Sequence, residues 1–192
     1  MKSFKSVIGL AIILCSCNSV EESQERRIDP VLNKIFTQEH ANYESNAMVR
    51  EQALEQLLIA LDSLVELNYL SDIPLRALRV SEYAENEDQA LVQFSTSLAK
   101  KDKSLLSNKL EFDLIAFMPK AVAATIQEGE VYQVKAHNFK ALNEKETYQL
   151  VNQTYFSPEP AITPVVVGSN DYEIQIGVFR AEVDSVSPYT LY

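Results

Sequence analysis

The apolar residues of this chain change their spacing once, near positions 68–74, and this change constrains the fold more than any other feature. Before it, apolar residues recur every three or four positions, which is typical of amphipathic helices. From about Leu75 onward they alternate with polar residues, which is typical of strands with one buried and one solvated face. Helices first and strands afterwards favour an α+β fold over an alternating α/β fold.

Two helices are predicted in the first part of the chain. Asp29 and Pro30 fit an N-cap and a first helical position, and an apolar stripe follows them. A longer helix is predicted from about Ser45 to Leu67. Its apolar stripe consists of Leu54, Leu57, Leu58, Leu61, Leu64 and Val65. We expect this stripe to pack on the rest of the domain. The alternative is an exposed arm that binds a partner.

The second part of the chain predicts about six strands, which we expect to pair in an antiparallel sheet. They lie near Leu75–Tyr83, Ala90–Ser95, Leu110–Leu114, Tyr132–Ala136, Tyr148–Leu150 and Tyr172–Val178. A short helix is expected at Pro119–Gln127, a charged connection at Ala99–Asn108 and a long proline-containing loop at Ser157–Asn170.

A short apolar run, Val7–Leu14, follows Lys2 and Lys5. Its length of about eight residues is too short to cross the ~30 Å core of a bilayer. Together with Leu14–Cys17 it resembles the signal of bacterial lipoproteins, whose lipobox reads Leu-x-small-Cys. The resemblance implies that Cys17 is acylated, for example with palmitate, and becomes the first residue of the mature protein. An ordinary secretory signal and a true membrane anchor are the alternatives.

The lipobox divides the chain into four parts. They are a signal peptide at 1–16, a flexible polar tether at 17–27, a helical segment at 28–74 and a β-domain at 75–192 that forms one globular unit with the helices. The segment Glu21-Glu22 resembles the acidic signal that sends some Bacteroidetes lipoproteins outwards. The resemblance implies a lipid-anchored protein on the outer membrane or cell surface, with the periplasmic face as the alternative.

The strand region, with a short helix placed midway, is similar to small Greek-key barrels of the OB type in Bacteroidetes lipoproteins. The segments that carry this resemblance are Glu128–Val134 and Tyr172–Val178. The resemblance implies two N-terminal helices packed on an antiparallel OB-like β-barrel. A β-sandwich is the alternative.

The chain is acidic, with 17 Lys and Arg against 27 Asp and Glu and a net charge of −10. Nucleic-acid binding depends on Lys and Arg at phosphates, so we predict no nucleic-acid partner. Both cysteines, Cys15 and Cys17, lie in the signal region. The folded part therefore offers no thiol for a disulfide, a nucleophile or a zinc ligand.

Residue patterns for catalysis are scarce. His40, near the end of the first helix, and His137, in a strand, have no partners at a metal-ligand spacing. Two acid pairs place both carboxylates on one strand face, which a hydrolase could use, but such acids usually form the solvated face of a strand. The pairs are Glu111 with Asp113 and Glu128 with Glu130. We therefore predict no catalytic, cofactor or metal site.

Tyrosines of the central and late strands are the candidates for a ligand face. They are Tyr132, Tyr148 and Tyr155. OB barrels bind oligomers by stacking on one strand face, but the absence of tryptophan makes a glycan the weaker candidate.

We predict a membrane-anchored, non-enzymatic binding or scaffolding module of the cell envelope with an envelope protein as partner. The alternative is an envelope hydrolase that acts on glycan or peptide through carboxylates.

Overall fold

The computed structural model describes residues 26–96, 105–151, 163–166 and 172–189. These residues form the mixed α+β fold that the sequence predicts, with helical segments first and one sheet afterwards. The predicted signal peptide, Cys17, most of the tether and Tyr155 lie outside the described residues.

Two of the described helical segments precede the sheet. The first is α1, Asp29–Leu32, which continues without a break into a π-helical segment, Asn33–Glu39. The second is α2, Ala47–Glu66. Asn46 caps α2, because its side-chain oxygen accepts hydrogen bonds from the backbone N–H groups of the next turn at 3.1 and 3.4 Å.

Asp29 has a different role from the predicted N-cap, since Ile28 occupies the N-cap position of α1. The Asp29 carboxylate is 1% exposed and accepts hydrogen bonds from the backbone N–H groups of Arg26, at 2.8 Å, and Ser107, at 3.1 Å. The Arg26 guanidinium donates to Ser107 Oγ and Asn108 Oδ1, both at 2.7 Å. Asp29 thus joins the start of the helical region to a distant part of the chain.

One side of α2 is buried. Its buried residues are Ala53, Leu54, Leu57, Leu61, Leu64 and Val65. Leu58 is 49% exposed whereas Leu57 is 1% exposed, so the prediction that Leu58 packs in the core is wrong. Successive residues are about 100° apart around a helix, so Leu58 lies about 20° beyond Val65, the last buried residue on that side.

Among the described residues, six strands form the sheet. They are β1 (Pro74–Glu82), β2 (Gln89–Ser95), β3 (Leu110–Pro119), β4 (Val131–Leu142), β5 (Thr163–Val166) and β6 (Tyr172–Pro188). Their order is β3-β2-β1-β4-β6-β5, and β3 also pairs with β6, so the five longer strands are joined in a closed ring. The short β5 lies in the region predicted as a loop.

The β3–β6 pairing is parallel, while the other pairings among the described strands are antiparallel. The prediction of an entirely antiparallel sheet is therefore wrong for this pair. Strand directions that alternate at every step cannot close a ring of five strands, because five is an odd number. One parallel pair is the geometrical consequence of closure.

Three short elements lie between the strands in the part of the chain that the structure describes. A 3₁₀ helix, Leu106–Lys109, precedes β3, and α3, Lys120–Ala123, follows it. The third element, α4 (Glu144–Val151), occupies the region predicted as the strand Tyr148–Leu150, so that prediction is wrong. Asn143 and Glu146 exchange side-chain to backbone hydrogen bonds at 3.0 and 3.1 Å, which is the capping-box pattern of a helix start.

The main core lies between the helical region and one face of the sheet. It contains residues of both helical segments and of all five ring strands, among them Ile28, Phe36, Leu57, Leu75, Phe94, Leu114, Val134 and Phe179. A second, smaller cluster covers part of the opposite face, where Val151 of α4 packs with Leu91, Ile115 and Val178. None of the described helices is both long and apolar enough to cross a membrane.

Candidate functional site

The predicted ligand-face tyrosines do not share one strand surface. Tyr132 belongs to β4, is 6% exposed and stands edge-on to Phe94 with ring centroids 6.4 Å apart. Its hydroxyl accepts a hydrogen bond from the Gln127 backbone N–H at 2.8 Å. Tyr148 is 54% exposed but lies on α4 rather than on a strand. Tyr155 lies outside the described residues.

The two histidines have local polar partners. His40 Nε2 lies 2.8 Å from Gln56 Oε1, which joins the end of the π-helical segment to α2. On the sheet, His137 Nδ1 lies 2.8 Å from Asp184 Oδ1, and its Nε2 lies 3.6 Å from Glu182 Oε2. Within the part of the chain that the structure describes, no group of three His, Asp or Glu side chains could hold a metal ion.

The acid pair Glu128 and Glu130 lies at the surface, before β4. Glu128 Oε1 accepts a hydrogen bond from the Val80 backbone N–H at 2.9 Å. This contact satisfies a donor of β1 and gives Glu128 a structural role.

The other acid pair is Glu111 and Asp113 of β3. The sequence predicts that these acids are solvated, and this prediction is wrong. Glu111 is 7% exposed and Asp113 is half-buried. Both side chains point away from the main core, because alternate residues of β3 fill that core. β3 is paired on both sides, with β2 and with β6, so neighbouring strands flank the two carboxyl groups.

The surface around this pair is the β2–β3 outer face, which consists of Leu91, Gln93, Ser95, Glu111, Asp113, Ile115 and Phe117. Ser95 lies opposite Asp113 in the strand register and hydrogen-bonds its carboxyl group. Thr96, which follows β2, places Oγ1 3.2 Å from Glu111 Oε2 and accepts the Phe112 backbone N–H at 2.8 Å. The hydroxyl groups of Ser95 and Thr96 therefore hydrogen-bond the acids of β3.

Burial raises the pKa of Asp113 to about 7. The hydrogen bond from Ser95 opposes this increase, and the charge of Glu111 adds to it. Loss of hydration disfavours the ionised carboxylate, and a second negative charge nearby disfavours it further. Asp113 can therefore exchange a proton near neutral pH, which is a property of many functional carboxyl groups.

The other end of the β2–β3 outer face is apolar and aromatic. Leu91 and Ile115 pack in the smaller cluster with α4. Phe117 stands edge-on to Tyr83 of the loop after β1, with ring centroids 5.1 Å apart. The face thus changes from hydrogen-bonding groups at one end to aromatic rings at the other.

One sequence signal could have identified this face as buried. Ile115 and Phe117 continue the face of Glu111 and Asp113 along β3, and large apolar residues are uncommon on a solvated strand face. The predicted strand ends at Leu114 and leaves out Ile115 and Phe117, so the prediction that the two acids are solvated is wrong.

No known family model matches this chain, and neither a curated protein nor a solved structure is detectably similar to it. The fold and the chemistry of particular side chains are therefore the basis for a functional proposal. Two surfaces stand out: the β2–β3 outer face and the solvent-exposed side of α2.

Proposed function

We propose that this chain is a membrane-anchored lipoprotein of the bacterial cell envelope that acts as a non-enzymatic binding module. Its domain is an OB-like β-barrel in this proposal. The observation that carries it is the closed ring of five strands, in which β1, β2 and β3 are consecutive neighbours and β4 and β6 complete the circuit. The short helix α3 lies between the third and fourth strands.

The binding surface in this proposal is the part of the β2–β3 outer face that is only half-buried, at Asp113 and Phe117. OB barrels bind their ligands across the second and third strands. Here that region carries the half-buried carboxyl group of Asp113 at one end and the half-buried Tyr83–Phe117 ring pair at the other. Carboxylates accept hydrogen bonds from N–H donors, and aromatic rings bury apolar groups, so a segment of an envelope protein suits this face better than a nucleic acid.

The proposed anchor is the lipid on Cys17, and it places the domain on the outer membrane or cell surface. Replacing Cys17 by alanine should abolish incorporation of labelled palmitate, because this thiol carries the acyl chains in the lipobox. The matched control is Cys15→Ala, which should retain the label. Equal labelling of the wild type and Cys17→Ala would contradict the lipoprotein proposal.

A second candidate function, an envelope hydrolase, is favoured by the Glu111–Asp113 pair. Residues two apart on a strand have Cα atoms about 7 Å apart, which is close to the carboxyl separation of inverting glycosidases. Their environments also differ, since burial and Glu111 together raise the pKa of Asp113. An acid and a base with separated pKa values are what such a reaction requires.

The two functions can be separated with the full chain and two probes. Purified peptidoglycan and a mixed peptide library would be incubated with the wild type, Glu111→Gln and Asp113→Asn, and products would be analysed by mass spectrometry. The binding-module proposal predicts no product from any of the three proteins. Cleavage by the wild type that both substitutions abolish would instead establish the hydrolase.

The position of the binding face can be tested in cells. A photo-reactive amino acid at Phe117 should cross-link to one defined envelope protein, whereas the same group at the exposed Glu87 should not. Equal cross-linking from both positions would show that the β2–β3 outer face is not the binding surface.

A further inference from the structure

The exposed side of α2 carries a narrow stripe of acidic and apolar residues, which we call the α2 acidic stripe. Its residues are Met48, Glu51, Glu55, Leu58, Ile59, Asp62 and Glu66. With 3.6 residues per turn, all seven lie within about 100° of the helix circumference. Glu55 and Glu51 precede the Leu58-Ile59 pair by about one and two turns, and Asp62 and Glu66 follow it by about one and two turns.

The apolar members of the stripe are unusually exposed. Ile59 is 81% exposed, Met48 is 73% exposed and Leu58 is 49% exposed. Single apolar residues are common on protein surfaces, but a group on one helix face is typical of an interaction surface. The opposite side of α2 already fills the core, so packing of the domain does not require these residues.

The acidic members of the stripe have no positive partner among the residues that the structure describes. Acids elsewhere do: Glu44 lies 2.9 Å from Lys109, and Glu146 lies 3.0 Å from Lys140. The stripe contains no Lys or Arg, and Arg50, the base of α2, lies outside it with its guanidinium on backbone carbonyl groups.

This arrangement opposes helix stability. Glu51 with Glu55, and Asp62 with Glu66, are like charges at i and i+4, which destabilise a helix. Asp62 and Glu66 also lie near the C-terminal end, where the helix dipole favours cations. The last turn of α2 contains no basic residue. A local rule that is broken without any gain inside the domain is a mark of a functional surface.

We propose that the α2 acidic stripe is the docking surface for a basic amphipathic helix of a partner protein. Lys or Arg side chains of that helix would lie against the four carboxylates, and its apolar residues would cover Leu58 and Ile59. The binding would remove the like-charge repulsion along α2 and bury the exposed apolar groups. This site is separate from the β2–β3 outer face, so it does not depend on the function proposed for that face.

A second copy of this chain fits the stripe less well. The acids are placed symmetrically about the Leu58-Ile59 pair, so two antiparallel copies of α2 would bring Glu55 of one copy against Asp62 of the other. Like charges in direct opposition disfavour such a dimer. Charge complementarity therefore selects a basic partner.

The proposal can be tested with the full chain and a fluorescent peptide about as long as α2, which has 20 residues. The peptide would be helical, with Leu at its centre and Lys on either side, and a scrambled peptide of the same composition is its control. Fluorescence anisotropy should show binding of the patterned peptide, weakened by added salt because exposed charges are screened. The scrambled peptide should bind at least about tenfold more weakly.

Matched variants of the protein locate the binding surface. Glu55→Lys with Asp62→Lys should weaken binding of the patterned peptide by at least about tenfold, because attractive contacts become repulsive. Glu87→Lys with Glu130→Lys changes the net charge equally at exposed positions outside the stripe and should leave the affinity within about twofold. A third variant, Ile59→Ser, tests the apolar contact without any change of charge.

Three results would overturn the proposal. They are equal binding of the patterned and scrambled peptides, equal weakening by the two pairs of lysine substitutions, and full affinity in Ile59→Ser. Sedimentation of the protein alone would reveal a dimer, and a dimer that Ile59→Ser dissociates would show that a second copy occupies the stripe. Circular dichroism would verify that each variant is folded, and substitutions at such exposed positions cost little stability.

Discussion

The acids of β3 and the acids of α2 have the same chemistry in opposite environments. Glu111 and Asp113 lie among paired strands and are hydrogen-bonded by hydroxyl groups. Glu55 and Asp62 are exposed and lack a positive partner among the described residues. The difference lies in what contacts each surface. Ser95, Thr96 and the smaller cluster with α4 contact the outer face of β3, whereas only one side of α2 is covered.

This difference predicts that the two groups of acids affect different properties. A buried carboxylate loses its hydration, so the acids of β3 should control stability and its dependence on pH. Exposed carboxylates keep their hydration, so the acids of α2 should have little effect on stability and a large effect on binding of a charged partner.

The largest expected effect tests whether α2 has one buried and one exposed side. Leu57→Ala should lower the free energy of unfolding by about 2–5 kcal/mol, because it leaves a cavity in the main core. The neighbouring substitution Leu58→Ala should change it by no more than about 0.5 kcal/mol. Denaturant unfolding of the full chain measures both. Equal costs would contradict the two-sided arrangement.

The second effect is the pH dependence that Asp113 should cause. Its pKa is raised from 3.8 to about 7 in the folded protein, so folding favours the protonated carboxyl group. The stabilisation is complete below the unfolded pKa and is lost as the pH rises through the folded pKa. The free energy of unfolding should therefore fall by up to about 4 kcal/mol between about pH 4 and pH 8.

The substitution Asp113→Asn should remove most of this decrease, because an amide does not ionise. The matched control Glu87→Gln, at an exposed position, should leave the pH profile unchanged. Unfolding by denaturant at several pH values would measure the three profiles. An unaltered slope in Asp113→Asn would show that Asp113 is more hydrated than the structure indicates.

A smaller effect is expected from the hydroxyl that contacts the acids of β3. Thr96→Val removes the acceptor of the buried Phe112 N–H and a hydrogen-bond partner of Glu111, and it should cost about 1–3 kcal/mol. Thr125→Val, at an exposed hydroxyl after α3, should cost less than about 0.5 kcal/mol. Thermal or denaturant unfolding compares the two variants. Similar losses of unfolding free energy would contradict the expectation that the buried hydroxyl of Thr96 contributes more to stability than the exposed hydroxyl of Thr125.

The smallest expected effect concerns the acids of α2 and has the opposite sign. Glu66→Lys should stabilise the domain by about 0.3–1 kcal/mol, since it replaces a like-charge pair with Asp62 by an attractive one and places a cation at the helix C-terminus. Glu51→Lys, near the N-terminus, should give a smaller gain because the helix dipole opposes it. A loss of stability in Glu66→Lys would mean that Glu66 has a favourable partner.

The patterning of apolar residues predicted the class of the fold and most of its elements. The helix predicted at Ser45–Leu67 is α2, Ala47–Glu66, and the strand predicted at Leu75–Tyr83 is β1, Pro74–Glu82. These predictions succeed because a long periodic segment depends mainly on its own side chains. The short segment Tyr148–Leu150 was misassigned because three residues fit either period, and the Asn143–Glu146 capping box was overlooked.

The candidate site was harder to predict. The sequence places Glu111 and Asp113 on one side of β3, since side chains alternate along any strand. It does not show what covers that side, because Ser95, Thr96 and β6 are brought there by pairing between distant parts of the chain. In the same way, the period of α2 defines an apolar side and a polar side. Leu58 lies at the boundary between them, and tertiary packing decides that it is exposed.

The sequence by itself determined the α+β order of elements and the acidic charge, because these follow from local pattern and composition, and the lipobox at Cys17 stays a prediction. Tertiary structure alone decided the closed ring of strands, the parallel β3–β6 pair, the burial of Glu111 and the exposure of Ile59. The physical reason is that register and burial depend on contacts between residues far apart in sequence. Local periodicity specifies the two sides of an element but not which other element will cover them.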